Sequence, residues 1–161
     1  METKKTKIIY FSPTGTTRKV LEGIAQGAAL ENVEHIDLTL PENAVQSVTV
    51  YSNELAIIGA PVYGGRLPED AIKRFKQLIA ENSLAVIIVM YGNREFDDAL
   101  LELKNLAIEL GFTPVAAGAF IGEHSFSSGK VPIANGRPDD LDMEKAHEFG
   151  RKIKEKLIGP G

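Results

Sequence analysis

The sequence predicts an α/β domain, a doubly wound three-layer sandwich around a five-stranded parallel sheet, and three observations predict it. Continuous apolar runs of strand length recur, as in KIIYF (7–11), LAIIGA (55–60) and LAVIIVMY (84–91). Such runs mark parallel strands covered on both faces. Between them, apolar residues fall at i, i+3, i+4, i+7, the spacing of helices with one buried face. This alternation fills the chain without repeat, linker or low-complexity tract, so residues 1–161 read as a single domain large enough to bury a core.

The elements follow in order. KIIYF opens the sheet, and Val20, Leu21, Ile24, Ala25 and Ala28 make the first helical stripe. VEHIDL (33–38) alternates, as an edge strand does, while residues 39–53 show little periodicity and read as a short helix or plain loop. LAIIGA is the third strand, and Ile72, Phe75, Leu78 and Ile79 give the next helical stripe. After LAVIIVMY come Leu100, Leu103, Ala107 and Leu110, a stripe stopped by Gly111. TPVAAGAFI (113–121) is the fifth strand, its proline tolerated at a strand's start. Ala146, Phe149, Gly150, Ile153 and Leu157 make the last helix. The acidic run DDLDMEKAHE opens that helix, with carboxylates at the end the macrodipole favours.

Composition removes whole classes of function. The net charge of -4 and a pI near 5.4 argue against duplex nucleic acid, which favours a basic face. The absence of cysteine excludes disulfides, thiolate metal sites, iron–sulfur clusters and a cysteine nucleophile in this chain. No apolar run reaches membrane-spanning length, and METKKTKIIY is too short in its apolar part for a signal peptide. The expected compartment is the cytoplasm, with no membrane insertion.

In a doubly wound sheet the functional loops sit at the carboxyl ends of the strands, near the switch in strand order. The first such loop, in YFSPTGTT (10–17), brings Ser12, Pro13, Thr14, Gly15, Thr16 and Thr17 between a buried strand and a helix start. Unpaired N–H groups and partial positive charge there suit an anion, the hydroxyls add donors, and Gly15 lets backbone approach a ligand. A phosphate held by neutral donors fits; the plainer alternative is a set of N-caps and a tight turn. G-x-x-x-x-G-K-[ST] and G-x-G-x-x-G are both absent, so Asp37 reads as the polar end of an edge strand rather than a ribose ligand.

The second loop, GAPVYGGRLPED (59–70), offers Val62, Tyr63, Gly64 and Gly65 between Pro61 and Pro68. By itself it also reads as a glycine-rich turn with a surface tyrosine. The third, YGNREFDDAL (91–100), offers Tyr91, Gly92, Asn93, Arg94, Phe96 and Asp97, with Asp97 or Asp98 near the next helix start. Two loops bearing aromatics beside a phosphate loop ask for a flat, phosphorylated ligand. His124, in the long connection over 121–138, reads as a loop histidine beside a lid or partner surface. His35, His147 and Arg18 read as solvated.

SPTGTT matches the flavodoxin phosphate pattern [ST]-x-T-G-x-T through Ser12, Thr14, Gly15 and Thr17, at the end of a first strand. The chain resembles flavodoxins over almost its whole length. YFSPTGTT, PVYGGRLPE, YGNREFDDALLEL and GAFIGEHSF together are similar to the flavodoxin-like domain that precedes a ferredoxin module in many anaerobes. The resemblance implies strand order 2-1-3-4-5 and non-covalent FMN, with residues 12–17 on the phosphate and Val62 to Gly65 and Tyr91 to Asp97 bordering the ring. It also implies electron transfer to a redox partner protein on another chain, an iron–sulfur protein being one candidate, from a monomer or weak dimer. Where relatives carry acidic residues after the turn glycine, this chain has Gly65 and Arg66, with Arg94 in the third loop, which implies a less negative potential. The alternative is that Arg66 pairs with Glu69.

Three functions follow: an electron carrier, an NAD(P)H-dependent flavin or quinone reductase, and a non-redox module that only holds FMN. A receiver-type signalling domain is excluded, since Phe11-Ser12 and Ala60-Pro61 replace its acidic positions. The carrier is favoured because no residue stands out as acid, base or nucleophile, and a flavin supplies the chemistry itself.

Overall fold

Runs such as Leu84–Tyr91, without a single charge, lie where both sheet faces are covered. The computed structural model describes residues 5–40, 47–63, 65–91, 97–121 and 139–158. The elements are β1 (Lys5–Tyr10), α1 (Thr16–Gly27), β2 (Val33–Asp37), β3 (Val48–Val50), β4 (Glu54–Pro61) and α2 (Glu69–Phe75). Then come β5 (Leu78–Ala80), β6 (Leu84–Tyr91), α3 (Asp97–Glu109), β7 (Thr113–Ile121) and α4 (Asp140–Ile158).

The main sheet runs β2-β1-β4-β6-β7, with every pairing parallel. Counting its five strands alone gives the order 2-1-3-4-5 that the resemblance implies. Alternate residues feed opposite faces, as the period of two requires. Ile8 and Tyr10 of β1, Leu55 and Ile57 of β4, and Val86 and Ile88 of β6 pack with α1 and α4. Ile9, Ala56, Ile58, Ile87 and Val89 pack on the other face with Ala71 and Phe75 of α2 and Leu103 and Ala107 of α3. Among the described residues, no helix is long and apolar enough to cross a membrane.

One element differs from expectation. Leu78 and Ile79 do not continue the second helical stripe: α2 ends at Phe75, and Leu78–Ala80 pairs in parallel with Val48–Val50. The N–H groups of Lys76 and Gln77 bond back to Ile72 and Arg74, closing the last turn before the chain extends. Val48, Thr49 and Val50 are β-branched and suit a pleated surface. Part of the stretch expected as a short helix or loop is therefore a strand, while 41–46 lies outside the described residues.

Candidate functional site

β1, β4 and β6 are neighbours and parallel, so the loops that leave them start side by side. The Phe11 N–H donates to the Gly59 carbonyl at 3.2 Å, and the Val62 N–H donates to the Met90 carbonyl at 2.8 Å. Successive loop origins are thus tied together at the carboxyl edge, the crevice where ligands bind in this architecture.

The β1–α1 loop turns through Gly15, whose φ of +82° lies in the left-handed region that glycine takes without strain. Gly15 is the N-cap of α1, so the N-cap residue itself brings no side chain to the helix start, and a Cβ there would meet nothing within 4 Å. The Ser12 hydroxyl accepts the Arg18 N–H at 3.2 Å, while the Ser12 N–H donates to Thr39 Oγ1 at 2.9 Å. Thr14 and Thr16 share a hydrogen bond at 3.0 Å between exposed or half-exposed hydroxyls. Pro13 is exposed, whereas Thr17 is buried, and its methyl fills the space beside Gly59. No hydrogen bond among the described residues engages the Thr17 hydroxyl. Residues 12–17 thus form one small cradle of neutral donors.

The Arg18 guanidinium is engaged along α1 rather than by that cradle. The exposed Arg18 donates to Glu22 Oε1 at 2.9 Å, one turn along the helix. The β2 side is also closed internally: Asp37 Oδ1 accepts the Thr39 N–H at 2.9 Å, an Asx-type turn. Tyr10 is buried, its phenol pushed up by that burial and by the Asp37 charge, and its hydroxyl lies 3.3 Å from His35 Nδ1. His147, on α4, reaches Gln26 Oε1 at 3.1 Å. Both histidines are therefore partnered rather than merely solvated.

The second loop is a two-sided turn. The Tyr63 N–H donates to the Arg66 carbonyl at 2.9 Å, and the Arg66 N–H donates to the Tyr63 carbonyl at 3.1 Å. Gly65 takes φ +81° with open space around its Cβ position. Val62 and Leu67 are buried on either side and anchor the turn's base, while Tyr63 is partly exposed. Arg66 pairs with Glu102 of α3, not with Glu69: its Nε and Nη2 reach the two carboxylate oxygens at 3.2 and 2.8 Å. The Leu67 N–H adds a third bond to Glu102, at 3.0 Å. Arg66 foremost, with that N–H, holds the Glu102 carboxyl below its usual range.

Tyr91, at the end of β6, is partly exposed and packs on the core beneath the edge. Gly64, Gly92, Asn93, Arg94 and Phe96 lie outside the described residues, as do the Asp97 side chain and the 122–138 stretch with His124. Three residues outside the predicted set brace the loops. Thr39 receives Ser12, Glu102 holds the turn, and Arg74 donates to the Leu38 carbonyl at 3.0 Å and to that of Thr39. The Arg74 guanidinium also stacks 5.4 Å from the Phe11 ring centroid.

A model of the flavodoxin domain family matches residues 7–127. A protein of Thermosynechococcus vestitus bearing the name diflavin flavoprotein A 2 is 26% identical over 157 residues, which is 93% of this chain and 25% of that protein. The chain therefore spans a quarter of the length of this curated relative. The rubredoxin oxygen:oxidoreductase of the anaerobe Desulfovibrio gigas superposes over 98% of this chain and 37% of its own, with TM-score 0.62 and 15% identity. A Lactobacillus acidophilus flavoprotein, solved in complex with FMN, superposes over 72% of this chain and 93% of its own, with TM-score 0.50 and 16% identity.

Proposed function

The chain belongs to the flavodoxin domain family, and on that premise we propose that it binds FMN non-covalently and carries one or two electrons between redox partner proteins. The observation that carries the reading is the start of α1, where the Arg18 N–H is taken by the Ser12 hydroxyl and the N-cap brings no side chain to the N–H groups ahead of it. Its N-cap is a glycine in the left-handed region, four hydroxyl residues surround it, and the nearest arginine is engaged by Glu22. Free N–H groups and neutral hydroxyls suit the phosphate of a flavin mononucleotide. The open volume at Gly15 leaves room for its oxygens. The fold neighbour from Lactobacillus acidophilus holds the same cofactor.

In this reading Ser12, Thr14, Gly15, Thr16 and Thr17 bind the phosphate, with Pro13 shaping the turn. Val62, Tyr63, Gly64 and Gly65 border one side of the ring, and Tyr91, Gly92, Asn93, Arg94, Phe96 and Asp97 the other. When bound, the flavin supplies the electron-transfer chemistry. The protein's own work is to hold the phosphate, shield the ring and set the charge around it. Residues 1–161 act as one cytoplasmic domain, a monomer or weak dimer, and the partner docks at the carboxyl edge. An iron–sulfur protein is a partner of suitable chemistry.

The test begins with the absorbance spectrum of the purified protein and fluorescence titrations with FMN and riboflavin. Tight FMN and much weaker riboflavin binding are expected; equal affinities remove the phosphate from residues 12–17. Anaerobic mixing with NADH and NADPH should leave the flavin colour essentially unchanged. Rapid bleaching would replace the carrier by a reductase.

A further inference from the structure

The turn beside the proposed ring is tied by one carboxylate to a helix distant in sequence. Glu102 sits on α3, yet its two oxygens take three hydrogen bonds from residues 66 and 67. The Arg66 side chain is 67% exposed and that of Glu102 only 20%, so the anion is the more shielded partner of the pair. The two backbone hydrogen bonds between Tyr63 and Arg66 close the turn, and Glu102 ties its far end to α3. Gly65 has no side chain and open space around it, and the apolar anchors Val62 and Leu67 lie outside the turn.

We infer that Glu102 is a positioning residue for the flavin: it ties the Tyr63–Arg66 turn to α3 and cancels the Arg66 charge, and so sets the reduction potential. The inference rests on the reading that this turn borders the ring. Reduction adds negative charge at the ring, so a free cation in the turn favours the reduced cofactor, and a cation already paired with a carboxylate does so much less. The turn can then present planar guanidinium donors without the full potential shift of a bare cation.

The test measures the two-electron midpoint potential of FMN bound to wild-type protein, Glu102→Gln, Arg66→Gln and the double variant. Dithionite is the reductant with a redox dye as indicator, at low and high salt. Glu102→Gln keeps an acceptor for the Leu67 N–H and removes only the charge. It should tighten reduced over oxidised FMN by roughly threefold to tenfold at low salt, an exposed-pair effect that shrinks as salt rises. Tenfold corresponds to about 30 mV upward on a two-electron midpoint. Arg66→Gln should shift the potential the opposite way, and the double variant should return near wild type. A structural brace alone would alter affinity for both redox forms together and leave the potential where it was. Wild-type potential in both single variants, with FMN bound, overturns this inference and leaves the flavin reading intact. Failure of the wild-type protein to take FMN overturns both.

Discussion

The two edges of the sheet carry similar polar chemistry and use it in opposite ways. At the amino edge, Lys7 and Glu54 are almost fully buried and paired at 3.1 Å. The same ammonium donates to the Thr49 carbonyl at 2.9 Å, and the same carboxylate accepts the Tyr51 N–H at 2.8 Å. The Ser83 hydroxyl is 2.7 Å from the Val50 carbonyl and 2.8 Å from that of Tyr51. These groups hold the short β3–β5 ribbon against the main sheet and leave nothing to offer a ligand. At the carboxyl edge, the helix N-cap is a glycine without a side chain, the Thr14–Thr16 pair faces outward, and two glycines at positive φ stand in open space. A buried polar group must find its partner within the protein. One left at a rim without a partner is available for a ligand. On the proposed reading, the first edge serves stability and the second binding.

The strongest way to break that division is to attack the amino edge. Lys7→Ala leaves Glu54 buried without its cation and should cost about 3–5 kcal/mol of stability. Lys7→Met with Glu54→Leu should recover only part of that loss: a buried pair gains little over apolar packing, but the Thr49 carbonyl and the Tyr51 N–H lose their partners. Urea denaturation measures both. In the fraction that stays folded, FMN affinity should remain within about twofold of wild type, well inside one hydrogen bond's worth of binding energy. A parallel collapse of affinity would show that the two edges are not separable.

The second test exchanges the roles. Thr17→Val keeps the buried shape and the methyl beside Gly59 while deleting one donor from the cradle. Hydrogen bonds to a charged group contribute roughly 1.5–3 kcal/mol, so FMN should bind about 10- to 100-fold more weakly. Riboflavin affinity and the urea midpoint should hardly move, because no hydrogen bond among the described residues engages that hydroxyl. Equal weakening of both flavins would mean that Thr17 shapes the pocket rather than touching phosphate.

Gly15→Ala sharpens the same point at smaller cost. The added methyl meets no atom within 4 Å, so the loss in the cofactor-free protein comes from φ +82° alone. That strain is about 1–2 kcal/mol for a residue with a Cβ. With FMN present the gap between the two proteins should widen, because the methyl occupies space the phosphate needs. Thermal unfolding with and without FMN reads both effects. An unchanged gap would place the phosphate elsewhere.

How much of this was legible in the sequence follows the same physics. The five main strands stand out because Leu55–Ala60 and Leu84–Tyr91 are covered on both faces and show unbroken apolar runs. β5 stayed hidden because Leu78 and Ile79 happen to continue the helical spacing of Ile72 and Phe75, and a three-residue strand shows no period of its own. The cradle of residues 12–17 was legible as hydroxyls at a strand-to-helix turn. Its brace was not, since Thr39 and Arg74 reach it only through the β2–β1 pairing and the fold of α2. Glu102 was missed for the same reason. From sequence Arg66 has Glu69 as its near acid, and only the packing of α3 beside the turn brings the distant carboxylate within 2.8 Å.

The smallest expected effect is a pH dependence, and it bears on that brace. Arg66 first, and the Leu67 N–H with it, favour the charged form of Glu102 and hold its pKa in the folded protein below the unfolded value. For a carboxyl shifted downward, the stabilisation is complete above the unfolded pKa, near 4.3 for glutamate, and is lost as pH falls through the lower folded value. The stability difference between wild type and Glu102→Gln should therefore be constant from neutrality to about pH 5 and shrink below about pH 4. Glu34 and Glu148 have pKa values lowered in the same way by Lys5 and Arg151, so the wild-type acid limb alone cannot identify Glu102. Both pairs are present in the variant as well, and subtracting the two curves cancels them. Urea melts of both proteins at several pH values supply the curves, and moderate salt should flatten the difference because Arg66 is exposed. A difference that stays constant down to pH 3 would mean that Glu102 contributes through shape alone. The turn would then be held by Val62 and Leu67, and the carboxyl edge would need no charge to keep its form.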